Sequence, residues 1–100
     1  MLIVAGYLYV EPRDLAPFIA DLKLLTLAAR QRAGNLSYDA ALEDAATGRL
    51  LISERWVDQA ALTAHLKAED TVAFVTRWQG SMRGDIRKYD GSNERALADD

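Results

Sequence analysis

Residues 35–57, NLSYDAALEDAATGRLLISERWV, decide the fold. They divide into two strand-like runs around DAATG (44–48), a cluster of turn-forming residues. In the first run, 35–43, Leu36, Tyr38, Ala40 and Leu42 share one parity and therefore one face of a strand. The second run, RLLISERWV (49–57), is the returning strand of a hairpin, and Glu54 and Trp56 within it project to a common face.

Outward from the hairpin, each flank repeats one pattern. On the N-terminal side, residues 2–10 are apolar at both parities, which predicts a strand covered on both faces. Asp14 is an N-cap candidate for a helix over about 15–33, in which Leu15, Phe18, Ile19, Leu22, Leu25 and Ala29 follow helical spacing. Arg30 and Arg32 suit its last turn, and Gly34 suits a left-handed C′ position. On the C-terminal side, Asp58 caps a second helix, with Val57 and Leu62 at the spacing of a hydrophobic staple. A further helical stretch, 70–79, places Phe74, Val75 and Trp78 on one side and stops at Gly80. DIRKYD (85–90) is a short, polar last strand.

The order β-α-β-β-α-β predicts an α+β fold of the ferredoxin-like kind, a four-stranded antiparallel sheet with helices on one face. Residues 1–90 form this one domain, and 91–100 form a tail with little to bury. The sheet's other face needs a cover, and a second copy packed sheet to sheet, a dimeric α+β barrel, supplies it most simply.

Composition narrows the function. With 12 Lys and Arg against 15 Asp and Glu, the chain carries a net charge of −3 and no basic stripe, which argues against nucleic acid. The absence of cysteine excludes disulfides, thiolate metal sites and thiol nucleophiles. The apolar opening MLIVAGYLYV is too short to span a bilayer and lacks the flanks of a signal peptide, so a cytoplasmic protein without membrane attachment is expected. No phosphate loop, nucleophile elbow or metal-ligand spacing occurs, and no metal or cofactor is expected.

AGNLSYDAALED, followed by LLISERWVDQAALTAHLKAEDTVAF, resembles the antibiotic biosynthesis monooxygenase family of dimeric α+β-barrel proteins. The features that carry the resemblance are Gly34 after the first helix, Tyr38 in the next strand, Glu54-x-Trp56 ending a strand, Ala61-Leu62 on the helix, and His65. The likeness covers residues 1 to about 90. It implies a homodimer and one of several chemistries: cofactor-free oxygenation, haem degradation or sugar-phosphate isomerisation. Haem degraders look like Asn, Trp and a ligand His at positions held here by Gly6, His65 and Val75, and with one histidine in the chain haem cleavage is rejected. The isomerases share GNL, an aromatic-Asp pair like Tyr38-Asp39, Glu54 and His65, but often carry Pro-His where this chain has Glu69-Asp70.

His65 shares the apolar helix face of Ala61 and Leu62, and is either a core residue or a general base working near neutral pH. Glu54 is its candidate partner, fixing the tautomer or sharing the proton. Trp56 is a candidate stacking wall, and Tyr38 a donor to a substrate oxygen. By the haem-degrader correspondence, Gly6 faces the pocket and leaves room there. The resulting expectation is a cofactor-independent monooxygenase acting with O₂ on a small aromatic or polyphenolic substrate. His65 and Glu54 would be catalytic, and Trp56, Tyr38 and Gly6 substrate-binding. The alternatives are a cofactor-free isomerase or tautomerase of a small hydroxyketone or sugar phosphate, and a non-catalytic dimeric ligand-binding protein.

Overall fold

The hairpin folds as expected and forms one half of the sheet. The computed structural model describes residues 1–100 in the order β1 (Leu2–Val10), a 3-10 turn (Pro12–Asp14), α1 (Leu15–Arg30), β2 (Asn35–Asp44), β3 (Arg49–Trp56), α2 (Gln59–Lys67), α3 (Glu69–Trp78) and β4 (Met82–Asp90). The strands form one antiparallel sheet in the order β2-β3-β1-β4, the ferredoxin-like topology. Tyr38 stands opposite Glu54 across the β2–β3 ladder, and Val4 opposite Glu54 across β3–β1.

One parity of each central strand faces the helices. Leu2, Val4 and Val10 on β1 and Leu50, Ile52, Glu54 and Trp56 on β3 are buried, whereas Leu51 on the opposite parity is 45% exposed. The core has two parts under this face. One gathers Val10, Leu15, Phe18, Leu22, Leu25, Leu50 and Phe74, with Phe18 5.3 Å from the ring of Phe74 and 5.3 Å edge-on to that of Trp78. The other holds Leu2, Val4, Ala29, Tyr38, Trp56 and Leu62. Large side chains removed from water in this way each stabilise the fold by about 1.5–3 kcal/mol.

Asp58 caps α2 as expected: its side-chain oxygen accepts from the Ala61 N–H at 2.9 Å. Five local expectations need correction, Gly34 below among them. Asp14 makes no side-chain cap; its backbone is already helical, and the 3-10 turn leads directly into α1. The long helix ends at Arg30, not 33, and residues 31–34 form a turn in which Gln31 and Arg32 donate back to Ala28 and Ala29. Val75 is 44% exposed, because on α3 only Thr71 and Phe74 point fully inward. β4 starts at Met82, three residues early, because pairing with Val10 continues the ladder through MRG despite its polar character.

Gly34 is left-handed, with φ +83°, but sits in the turn after the helix, past the C′ position. A Cβ there would lie 2.5 Å from Ala61 Cβ and 2.9 Å from Val57 Cγ2, so glycine lets the turn lie directly on the start of α2. That contact carries Arg32 over the helix that bears His65.

The sheet's other face bears Ile3, Ala5, Tyr7 and Tyr9 from β1, flanked by arginines: Arg49 lies over the Tyr7 ring at 4.8 Å and Arg83 over Tyr9 at 4.3 Å. These β1 residues are only partly buried. The tail 91–100 lies at one end of this face, where Glu94 pairs with Arg55 at 3.3 Å. No helix of the chain is long and apolar enough to cross a membrane.

Candidate functional site

Tyr38, Glu54, Trp56 and His65 come together between the sheet and α2. Strand pairing sets Tyr38 against Glu54, and the two-residue spacing along β3 puts Glu54 and Trp56 on the same side. The Trp56 indole N–H donates to Glu54 Oε1 at 3.0 Å. From α2, His65 lays its ring 4.8 Å from that of Trp56, tilted by 32°, and 5.5 Å edge-on from that of Tyr38. All four are buried, Trp56 completely.

Three residues absent from the expected set complete the cluster. Arg32, from the turn held by Gly34, donates to His65 Nδ1, and also to Thr71 Oγ1 at 2.9 Å. Its other terminal nitrogen donates to Asp70 Oδ1, and Asp70 in turn accepts from the Thr71 N–H at 2.9 Å. Arg32 looked like a helix-end cation in the sequence. The available signal was a histidine on an apolar helix face, whose ring nitrogens need partners from another segment.

The hydrogen bonding fixes the state of the histidine. A guanidinium only donates, so Nδ1 accepts and the ring's single proton is on Nε2. Burial, reinforced by the charge of Arg32 and opposed by Asp70, lowers the His65 pKa to about 4. The ring is therefore neutral at pH 7 and presents an N–H. In this state Nδ1 is taken by Arg32 and Nε2 is a donor.

Burial acts in the opposite direction on the acids. The Glu54 carboxyl is pushed above the usual carboxylate range, and the Trp56 N–H offsets only part of that rise. Burial, and then the charge of Glu54, raises the Tyr38 phenol above its ordinary value, so it remains a donor. Tyr38 Oη, Glu54 Oε2 and His65 Nε2 have no partner within the chain, while no buried polar side-chain atom is left unsatisfied. All three atoms thus reach accessible space. The cluster combines a carboxylate of raised basicity with two neutral hydrogen-bond donors.

The other two residues expected to contact substrate are packed closely against their neighbours. Trp56 has no accessible surface, so it supports Glu54 and does not provide an open stacking wall. Gly6 has φ +154°, and a Cβ there would lie 2.1 Å from the Asp85 carbonyl oxygen and 2.7 Å from Ile86 Cα. Glycine is required at this point by the close approach of β4, which leaves no free space beside it. An apolar cleft of about 390 Å³ lies between α1 and β2, but none of Gly6, Tyr38, Glu54, Trp56 and His65 lines it.

The fold and this buried polar cluster define a single ferredoxin-like α+β domain with its candidate site between sheet and helices. The sequence pattern of the antibiotic biosynthesis monooxygenase family matches residues 1–77, and the chain belongs to that family. It is 25% identical over 77 residues to "Putative monooxygenase YcnE" of Bacillus subtilis (strain 168), spanning 77% of this chain and 81% of that one. Among solved structures, a Deinococcus radiodurans protein named for the same family superposes with a TM-score of 0.87 at 22% identity, covering 99% of this chain and 100% of the other. Rv0793 of Mycobacterium tuberculosis gives a TM-score of 0.83 at 21% identity, over 95% and 98%. At these identities the structural likenesses establish the fold.

Proposed function

We propose that the protein is a cofactor-independent monooxygenase that removes a proton from an electron-rich aromatic substrate, such as an anthrone, and lets the resulting carbanion react with O₂. The observation that carries this reading is one buried cluster between the sheet and α2 that holds Glu54, its pKa raised by burial, with a free carboxylate oxygen, together with a neutral His65 ring packed on Trp56. Glu54 Oε2 takes the proton from the carbon next to the ring system, breaking that C–H bond. Negative charge moves onto the substrate's carbonyl oxygen, where His65 Nε2–H and Tyr38 Oη–H donate to it. The carbanion adds O₂ to form a peroxide anion, which takes the first proton back from Glu54. The hydroperoxide then loses its remaining C–H proton as the O–O bond breaks, and hydroxide departs to join that proton. One oxygen atom becomes the new carbonyl and the other leaves as water.

The same two groups favour a second reading. A carboxylate base beside a neutral imidazole donor also suits isomerisation of a hydroxyketone through an enediol. The two readings share their first step and differ in whether the carbanion meets O₂ or is reprotonated. In the third reading the protein binds a ligand without turning it over, and His65 is structural.

The active form in this proposal is a homodimer joined through the open sheet faces. The partly buried Ile3, Tyr7 and Tyr9 and the exposed Leu51 support that arrangement. The test is anaerobic exchange of an anthrone's CH₂ protons in D₂O, followed by O₂ uptake in metal-free buffer. Exchange and uptake that both disappear in Glu54→Gln support the oxygenase. Exchange without uptake favours the isomerase, and absence of both with anthrone and with a hydroxyketone supports the ligand-binding protein.

A further inference from the structure

We infer that Asp70 is a positioning residue: it holds the Arg32 guanidinium on His65 Nδ1 and so decides which ring nitrogen the site presents as a donor. The catalytic consequence rests on the proposed function; the state of the ring does not.

A neutral histidine has two tautomers, and passing from one to the other exchanges the donor at Nε2 for an acceptor. At His65 the tautomer depends on Arg32, whose guanidinium stands at the end of a long side chain from the turn after α1. Fixing such a side chain costs about as much rotamer freedom as one hydrogen bond returns. The bond to Nδ1 alone therefore leaves Arg32 loosely held.

Asp70 supplies the anchor. Its Oδ1 accepts from the terminal nitrogen of Arg32 that does not meet His65, and the same oxygen accepts the Thr71 N–H at 2.9 Å. Asp70 lies in the first turn of α3, where a carboxylate also favours the helix dipole, so its own place is set by the backbone. Thr71 Oγ1, 2.9 Å from the nitrogen that meets His65, steadies the inner arm of the fork. Of the two acids that begin α3, only Asp70 pairs with Arg32. The break between the helices makes this possible. In an unbroken helix Asp70, five residues after His65, would lie about 140° around the axis from it. Ala68 is extended, with ψ 142°, and redirects the chain so that both side chains meet one guanidinium.

Two roles for Asp70 predict opposite signs. As a bare charge it favours the protonated ring, so its removal would lower the His65 pKa further. As the anchor of Arg32, its removal frees the guanidinium, takes a cation away from the ring and lets Nδ1 carry the proton. The His65 pKa then rises and the tautomers mix. Tyr38 from β2 faces the same ring, and Glu54 from β3 lies in the same cluster; neither is altered by the change. In the proposed reaction Nε2–H donates to an oxyanion that develops only in the transition state, so a mixed tautomer lowers kcat and leaves KM in place.

The experiment is nitrogen NMR of the His65 ring, the chain's one histidine, at pH 7 on wild type, Asp70→Ala, Asp70→Glu, Arg32→Ala and the double variant Arg32→Ala/Asp70→Ala. Wild type should show a protonated Nε2 and an unprotonated Nδ1. The Asp70 side chain is 48% exposed, so Asp70→Ala should keep native circular dichroism while the two nitrogen shifts converge and the His65 pKa rises. Asp70→Glu, which keeps a carboxylate within reach of the fork, should retain the wild-type shifts. Adding Asp70→Ala to Arg32→Ala should move neither shift, because Asp70 acts through Arg32. With an anthrone, Asp70→Ala should lower kcat about tenfold at unchanged KM. Wild-type shifts in Asp70→Ala, a lowered His65 pKa there, or a further change in the double variant would overturn the inference. Shifts that move as expected while wild type turns nothing over sink the proposed chemistry alone. A fall in kcat with unmoved shifts sinks the positioning role alone.

Discussion

Trp56 and Glu54, two residues apart on β3, are joined by a 3.0 Å hydrogen bond from the indole N–H to a carboxylate oxygen in the buried interior. A carboxylate largely removed from water with one neutral donor is costly in its charged form, which is why its pKa rises. With a folded-state pKa above the unfolded one, Glu54 opposes folding at neutral pH, and that penalty fades as pH falls through the folded value.

Glu54→Gln keeps the acceptor for Trp56 and removes the charge. Its melting temperature at pH 7 should therefore exceed that of wild type, with the difference shrinking in acid. The same change removes the proposed base, so turnover should fall by about 10²- to 10⁴-fold. A less stable or fully active variant would contradict this account of Glu54. A residue whose removal raises stability and lowers activity is the behaviour expected of a functional group held under strain.

His65 carries the opposite pH signature. Its pKa falls from 6.5 to about 4 on folding, so its neutral form stabilises the protein above pH 6.5 and that contribution is lost as pH falls toward 4. The full effect is about 3 kcal/mol. Arg32 and Asp70 act on the ring and Glu54 lies in the same cluster, so the informative quantity is the difference between wild type and His65→Asn. Urea denaturation at pH 4 to 7.5 should show wild type losing stability relative to the variant across that window. In the proposed reaction His65→Asn should also lower kcat by about 10²- to 10³-fold, the usual cost of an oxyanion donor.

Arg32→Ala tests the imidazole directly. With the guanidinium gone, one of the two influences that lower the His65 pKa is removed, and the imidazole should titrate at higher pH in a proton NMR experiment. Burial, the larger influence, remains, so the value should stay below 6.5. Nδ1 and Thr71 Oγ1 both lose their donor, which should destabilise the fold by about 1–3 kcal/mol. An unchanged His65 titration would mean that Arg32 does not hold this ring.

Strand parity and helical spacing carried most of this architecture. Glu54 and Trp56 fall on one face because a strand alternates, and His65 falls inward because Ala61 and Leu62 do. The one-sided cover of the sheet follows from the order of elements alone. What strand parity and helical spacing leave out are distances between segments. Trp56 could have formed a wall or a core, and only packing against His65 decides between them. Gly6 was taken as space, whereas its absent side chain is occupied by the β4 backbone. Arg32 reaches His65, 33 positions away, only because the helix ends early and Gly34 lets the turn descend onto α2. A sequence pattern with a period of two or 3.6 does not register such a contact.

Gly6→Ala offers a sharp check on strand packing. A methyl group 2.1 Å from the Asp85 oxygen must push β1 and β4 apart, and φ +154° is strained for any side chain. The loss should exceed about 1 kcal/mol and be accompanied by faster amide exchange along β4. A variant of wild-type stability, or one altered only in substrate affinity, would favour the binding role expected of Gly6 over this packing role.

The open sheet face makes the last prediction. Its centre joins Tyr7, Leu51 and Ala41 on three adjacent strands, and an apolar centre with arginines beside it is what a self-complementary interface presents. Sedimentation at micromolar concentration should give twice the 11.1 kDa chain mass. A stable interface of this kind buries more than roughly 1,200 Å², so a single charge at its middle should disrupt it. Leu51→Arg places that charge against Tyr7 and, across the pseudo-symmetric contact, against the same patch of the second copy. Leu51 is 45% exposed in the single chain, so the substitution should leave the fold intact and yield a monomer with native circular dichroism. A wild-type monomer, or a variant that remains dimeric, would place the partner surface elsewhere and leave Tyr7 and Tyr9 facing water behind their arginines.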